Sequence, residues 1–382
     1  MTWDGEQRAR VGLAMACAGT ADLKLARLVA TEGAEAVWMS LLTGDRDSRW
    51  GIRARKVDLD MVEARTEVLG LQHLVPSDPR WPTGLNDLDH VEVSEMGGAP
   101  WGLWVAGDPD LASSCAASVA VVGSRAATHY GEWAAAEIAA GLAAHRHDRM
   151  VSRATVVSGG AYGIDAAAHR GALAVGGPTV AVLAGGLDDL YPKGNAGLLR
   201  QVRQHGSIVS ELAPGTSPTR VAFLARNRLI AGMTACTVIV EAARRSGARN
   251  TVAWARALGR VLAAVPGPIN SDRSLTPHQL IRDQEAVLVA DAEQVRELLS
   301  PLVEPPLPGV EAPARELDEM PTRLLEVREA LRRRGGTPVD EVVARTGLGV
   351  AECLDRLGEL EDWGWVRLLP DGSWGLRRPS GH

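Results

Sequence analysis

The sequence predicts an α/β fold: a Rossmann-like parallel sheet with helices on both faces, flanked by an N-terminal helical domain and a C-terminal winged helix. Three observations carry this expectation. Short β-rich runs alternate with alanine-rich helical stretches through the middle of the chain. Residues 1–75 show helical periodicity, and residues 321–382 read as three helices and a hairpin. With 382 residues and 46% hydrophobic content, the chain is long enough for two or three packed domains.

The first domain, residues 1–75, is expected to be a helical module of the SAM or helix-hairpin kind. Leu23, Leu25, Leu28, Val29, Ala36 and Val37 keep one apolar face at helical spacing, and a second helical stretch covers Val57–Leu69. Residues 76–118 connect it to the core. Pro76-Ser77-Asp78-Pro79-Arg80-Trp81-Pro82 must be extended or turning, because its prolines exclude helix. Trp101-Gly102-Leu103-Trp104-Val105 reads as a short strand ending at Gly107.

The core, residues 119–300, alternates in the βαβ manner. Its strands are expected at Ser118–Val122, Thr155–Val157, Thr179–Leu183, Ser207–Val209, Thr237–Val240 and Val261–Val265. Helices are expected between them at Gly131–Ala144, Ile164–Val175 and Thr251–Leu258. Apolar strands separated by helices imply a parallel sheet covered on both faces. Pro301, Pro305, Pro306, Pro308 and Pro313, mixed with acidic residues, mark a linker over residues 301–320. Beyond it, a helix over Arg323–Arg333 leads to Thr337-Pro338, a cap followed by proline at the first helical position. Helices Val339–Arg345 and Val350–Glu361 follow, then a hairpin turning on Pro370-Asp371-Gly372.

The start of the chain is polar and no long apolar run occurs, so neither secretion nor membrane spanning is expected. Cys17, Cys115, Cys236 and Cys353 are scattered without paired spacing. That argues against a disulfide framework or a zinc site and fits a cytoplasmic protein. The formal net charge of -6 conceals an uneven distribution. Val119 to Ala290 carries 18 Lys and Arg against 11 Asp and Glu, whereas the rest of the chain carries 23 against 36. A basic centre between acidic ends points to an anionic partner. An arginine-rich coding bias is the other explanation, since Lys24, Lys56 and Lys193 are the only lysines.

In an open parallel sheet, ligands bind outside the carboxyl ends of the strands, where helix N-termini and free N–H groups converge. Gly123-Ser124-Arg125 follow the first core strand, and Ser158-Gly159-Gly160-Ala161-Tyr162-Gly163-Ile164-Asp165 follow the second. Ala184-Gly185-Gly186-Leu187 follow the third, with Tyr191-Pro192-Lys193 soon after. Ser210-Glu211 end the fourth, and the next segment holds Phe223-Leu224-Ala225-Arg226-Asn227-Arg228. Glycines let backbone approach a phosphate, serines donate hydrogen bonds, and arginines offer forked donors. The candidate contacts are therefore Gly123, Ser124, Arg125, Ser158, Gly159, Gly160, Tyr162, Gly163, Lys193, Phe223, Arg226, Asn227 and Arg228.

Neither G-x-G-x-x-G after the first strand nor G-x-x-x-x-G-K-[ST] is present, so a nicotinamide or ATP site is disfavoured and no cofactor is expected. An extended polyanion fits better. Phe223, the one phenylalanine of the chain, precedes the Arg-Asn-Arg run; it either stacks an unpaired base or lies in the core.

The ordered set Val122-Gly123-Ser124-Arg125, Tyr130-Gly131, Ser158 to Asp165 with His169, Tyr191-Pro192, Ser210-Glu211, Arg226-Asn227-Arg228, Val240-Glu241-Ala242 with Ser246-Gly247, and Val265-Pro266-Gly267 resembles the DNA-processing protein A (DprA/Smf) family. Asp78 to Leu85 is similar to the family's segment before its core. The resemblance implies a single-stranded-DNA-binding protein that protects incoming DNA and helps load the RecA recombinase in natural transformation and recombination. It also implies a homodimer. Arg125 would be a central DNA contact, with Arg226 to Arg228 and Tyr191 to Lys193 on the same face. The chain departs from the family pattern at Gly160, usually hydrophobic, and at Tyr162, often basic. It departs again at Leu275 to Ile281 and Gln284-Glu285-Ala286, where the family has Gly-x-Asn-x-Leu-Ile and Gly-Ala.

The rival is a phosphate-binding α/β enzyme acting on a nucleotide, glycosidase-like in its chemistry. Asp165 and His169, at i and i+4 on a helix, with Glu211 and Glu241 at strand ends, could build an acid–base or metal site. They could equally brace the loops, and neither a catalytic nor a metal role is expected. In the winged helix, Glu352, Asp355, Glu359 and Glu361 face only Arg356 on the third helix, which favours protein contact or regulation over duplex binding.

Overall fold

The computed structural model describes residues 2–17, 22–44, 48–145, 153–244, 246–299 and 320–377. It forms two units, Met1–Pro305 and Pro306–His382. The proline-rich segment read as a linker lies, up to residue 319, outside the described residues.

The first unit opens with five helices: α1 (Gly5–Ala16), α2 (Leu23–Glu32), α3 (Ala34–Thr43), α4 (Arg49–Ala54) and α5 (Leu59–Val68). Helix α1 was not expected from periodicity. Its signal is local instead. Asp4 accepts from the Gln7 amide at 2.7 Å while the Gln7 side chain accepts from the Asp4 amide, a reciprocal capping box. The apolar face read across Leu23 to Val37 breaks at Gly33, whose φ of 88° ends α2 and starts α3.

Strand β1 (Gln72–Leu74) follows, then the two-residue strands β2 (Glu92–Val93) and β3 (Met96–Gly97), which pair as a small ribbon. Strand β4 (Leu103–Gly107) and helix α6 (Leu111–Ala116) complete this stretch. The alternating core is β5 (Ser118–Val122), α7 (His129–Ala143), β6 (Thr155–Ser158), α8 (Ile164–Ala174), β7 (Thr179–Val182), α9 (Ala196–His205), β8 (Ser207–Ser210) and α10 (Arg220–Gly232). It continues through β9 (Cys236–Ile239), α11 (Ala248–Ala257), β10 (Val261–Ala264), α12 (Leu275–Arg282), β11 (Val287–Leu288) and α13 (Ala292–Leu299).

Nine strands join one sheet in the order β1-β4-β8-β7-β6-β5-β9-β10-β11. From β8 to β11 every pairing is parallel, whereas β4 runs antiparallel to β8 and β1 antiparallel to β4. The strand placed in the connector thus extends the core sheet at one edge. Strand order moves outward from β5 through β6, β7 and β8, then returns to β5's other side at β9. That reversal is a topological switch point, and it opens a crevice outside the carboxyl ends of β5 and β9.

Alternation along β5 shows how both faces are filled. Val119 and Val121 pack with Ala135, Ile138 and Leu142 of α7, Ala168 of α8 and Val295 of α13. Ala120 and Val122 face Leu229 and Ile230 of α10, Val252 of α11, and Leu85 and Leu88 from the connector. Small residues let α7 and α8 approach closely; a side chain at Gly171 would meet the Ala136 backbone. On the outer side of the β7–β8–β4 segment, Trp104 and Ile208 join the N-terminal helices in a third cluster.

The second unit comprises α14 (Thr322–Glu329), α15 (Val339–Thr346), α16 (Val350–Asp362) and the hairpin of β12 (Val366–Leu368) with β13 (Trp374–Leu376). Leu324, Val342, Leu357, Leu360 and Val366 form its own fully buried core. Among the described residues, no helix is long and apolar enough to cross a membrane.

Candidate nucleic-acid interface

Gly123, Ser124 and Arg125 leave β5 at the switch point. Their course is fixed from both sides: the Ser124 amide donates to the Glu241 carbonyl at 2.6 Å, and the Ser124 carbonyl accepts from the Ile164 amide at 3.2 Å. Gly123 is required because a Cβ there would press on Ile164 and the Glu241 carbonyl. Gly163 is required twice over, since its φ is 73° and a Cβ would run into the Ser124 and Arg125 carbonyls. The β5 and β6 loops are thereby held against each other, and Arg125 is left exposed.

Arg125 stands where two clefts meet. The first is a shallow cleft lined by Gly159, Tyr162, Gly185, Gly186, Tyr191 and Phe223 together with Arg125. The second, wider and open to solvent, is bounded by Gly123, Ser124, Arg125, Asn227, Ser246 and Gly247 at the N-terminus of α11. The Arg125 guanidinium lies 4.7 Å from the Phe223 ring centroid, a cation–π distance. Tyr191 tilts against the other side of this arrangement, its ring 5.9 Å from Phe223. Tyr162 is half exposed, and its hydroxyl accepts from the Gly194 amide at 3.2 Å. Lys193 beside it is exposed and pairs with Asp189. A solvent-exposed pair of this kind is weak and leaves the ammonium free to exchange partners.

The Arg-Asn-Arg run, expected in the segment after the fourth core strand, lies within α10. That changes its chemistry, because residues i and i+2 on a helix point to different sides. Arg228 is 1% exposed and forks onto both Glu211 carboxylate oxygens at 2.7 and 2.6 Å, while its Nε donates to the Gly98 carbonyl at 2.9 Å. It ties the connector to the core and does not reach the open face. Arg226 is also buried and donates to the Gly159 and Val182 carbonyls, each at 2.6 Å, fixing the β6 loop against β7. Burial pulls its pKa down to about 10, partly offset by Asp165. Asn227 donates to Asn250 at 3.2 Å and holds α11 in place. Ser158 turns inward, its hydroxyl donating to the Val121 carbonyl at 2.7 Å, and Gly160 is buried against Leu183 and Leu199.

Arg125, Tyr162, Lys193 and Phe223 therefore gather at the open face, over the Gly123–Ser124 and Gly159–Gly163 backbone. Phe223 is partly packed against Leu212 and Ala222 and partly lines the two clefts. Tyr191, expected on this face, lines the first cleft together with Gly185 and Gly186 of the glycine loop after β7. Ser246 and Gly247 bound the second cleft, and a Ser-Gly pair just before a helix was their available signal.

The residues of the enzyme reading are each engaged in the framework. Asp165 is buried below the β6 loop, where desolvation raises its pKa against the pull of Arg226 and the Ala161 amide. His169 bonds Thr179 at 2.8 Å rather than a carboxylate, and burial lowers its pKa to about 3, so it is neutral. Glu211 holds Arg228. Glu241 accepts from the Thr128 amide at 2.8 Å and its hydroxyl at 2.6 Å, anchoring the start of α7.

A Rossmann-like sheet whose switch point presents an exposed arginine, clustered aromatics and glycine loops defines a class of α/β proteins built to hold phosphate-bearing ligands. Residues 72–300 match the family described as DNA recombination-mediator protein A, and the chain belongs to that family. It is 44% identical over 325 residues to a DNA processing protein DprA of Mycobacterium tuberculosis, covering 84% of this chain and 80% of that one. The solved DNA processing protein A of Streptococcus pneumoniae superposes with a TM-score of 0.61 at 29% identity, over 78% of this chain and 98% of that one. Helicobacter pylori DNA processing protein A, a structure described for its single-stranded-DNA binding mode, gives a TM-score of 0.50 at 25% identity, over 60% and 95%.

Proposed function

We propose that this chain binds single-stranded DNA along the carboxyl edge of its sheet, protecting it and helping to load RecA in transformation or recombination. Arg125 and Lys193 take the phosphates, and the glycines of the Gly123–Arg125 and Gly159–Gly163 loops let the strand come close to the backbone. Phe223, Tyr191 and Tyr162 offer faces for unpaired bases, a sequence-tolerant mode of binding. Arg226, Asn227 and Arg228 contribute by holding those loops in place. The protein works in the cytoplasm as a homodimer and without catalysis. The second unit serves protein contact or regulation, in keeping with Glu352 and Glu359 pairing to Arg356 and Arg323 instead of leaving a basic helix.

The observation that carries this reading is Arg125, exposed at the junction of two clefts and held 4.7 Å from an aromatic face. A duplex keeps its bases stacked inside, so this pairing of cation and ring favours single strands. The test is a salt series of single- and double-stranded oligonucleotide binding, wild type beside Arg125→Ala. Single-strand affinity is expected to dominate, to fall steeply with salt and to be largely lost in the variant. Equal affinity in the variant sinks the proposal. The enzyme reading instead expects turnover of a nucleoside phosphate sensitive to Asp165→Asn or Glu241→Gln.

A further inference from the structure

The carboxyl edge of the sheet carries a second aromatic group on the other side of Arg125. Helix α7 begins there, capped by Thr128, whose hydroxyl accepts from the Gly131 amide at 3.1 Å and donates to Glu241. Its solvent stripe is Tyr130, Trp133 and Glu137, at helical spacing. Trp133 is 57% exposed and Tyr130 37%, with ring centroids 6.3 Å apart and planes tilted by 39°. The Tyr130 hydroxyl donates to the Pro266 carbonyl at 2.6 Å, which fixes its ring against the loop after β10. On that loop Ile269 is 95% exposed. Arg273, just beyond, donates through Nε to the Ala126 carbonyl, one residue from Arg125.

Single exposed apolar residues are ordinary on a protein surface. Two neighbouring rings, one fixed by a hydrogen bond, with an arginine tied to the loop that leads from Arg125 to them, are a different arrangement. We infer that Tyr130 and Trp133 form a second base-stacking platform, so that a single strand held at Arg125 continues across the start of α7. This rests on the proposed single-strand reading and extends it.

Continuity and charge argue for DNA as the occupant rather than a protein. Tyr130 lies five positions beyond Arg125, at most about 18 Å of chain, so a strand leaving Arg125 reaches the rings within a few nucleotides. Arg273 supplies a cation along the way, whereas the N-terminus of α7 is already occupied by the Glu241 carboxylate and carries Glu132 in its first turn. Glu137, next on the stripe, repels phosphate and marks where the strand departs. The rings are therefore a terminal platform: they add affinity to long strands and none to short ones.

The experiment compares binding of thymidylate oligomers of about 5 and about 25 nucleotides, lengths chosen to cover one stacking site or several. Trp133→Ala is expected to weaken the long oligomer about tenfold and leave the short one unchanged, with Trp133→Phe close to wild type. The long oligomer should also quench wild-type tryptophan emission more than that of Trp133→Phe. Arg125→Ala, measured in parallel, should lose binding at both lengths; its failure to do so counts against the proposed function and is read separately. The inference is overturned if Trp133→Ala binds both lengths like wild type, or if it alters only the sedimentation of the protein and so marks a protein contact.

Discussion

Arg125 and Arg228 share a residue type and do opposite work. Arg125 is held by its loop at the surface, where its charge meets solvent and an aromatic face. Arg228 is withdrawn from water and fully spent on Glu211, Gly98 and Ala225. Removing one partner of a buried pair strands the other charge, so Glu211→Gln is expected to cost about 3–5 kcal/mol in urea unfolding. Replacing both members with apolar residues should recover much of that loss. A Glu211→Gln protein as stable as wild type would contradict the framework role given to Arg228. The sequence marked all three residues of the Arg-Asn-Arg run as contacts because it shows composition and order. The side a residue faces depends on helical phase and on which distant residues pack against it.

At the scale of the element, the site depends on where α7 begins. Thr128 satisfies the Gly131 amide and is itself held by both oxygens of Glu241, which comes from the neighbouring strand end. Thr128→Ala removes the cap and leaves part of Glu241 unpaired. A loss of about 1–2 kcal/mol in unfolding free energy is expected, together with weaker DNA binding because the loop carrying Arg125 loosens. A variant that retains full stability would show that the cap is dispensable. Helix α7 itself was legible from its alanine-rich pattern, and the six expected core strands form within a residue or so of their expected bounds. Helix α1 was missed, since the Asp4–Gln7 capping box is a two-residue signal without a conspicuous apolar face.

Over the whole molecule, two buried imidazoles couple folding to pH. His73 lies between Trp3 and Trp104, at 5.4 and 4.6 Å between ring centroids, and joins the N-terminal helices to the sheet. Burial lowers the pKa of both His73 and His169 from 6.5 to about 3. Between those values the unfolded chain binds protons at these sites and the folded chain does not, so stability falls as pH drops through that window. Asp165 works in the opposite direction, its raised pKa letting the folded carboxyl take up a proton first. With two groups against one, the urea midpoint is expected to decline from pH 7 to pH 5, and His73→Leu should flatten the decline. An unchanged slope in that variant would remove His73 from the account.

What the sequence determined by itself was the alternating architecture, the order of the loops and the concentration of positive charge in the core. These are local properties: strand and helix periodicity, glycine where backbone must turn, and residue counts. Tertiary structure decided which of those residues meet. The reversal of strand order at β5 and β9 places the Gly123-Ser124-Arg125 loop at a crevice. Burial then divides the arginines into one exposed at the clefts and two that hold the fold. Desolvation makes that division, because a charge can stay buried only where the fold supplies its partners, and those partners come from residues far apart in the chain.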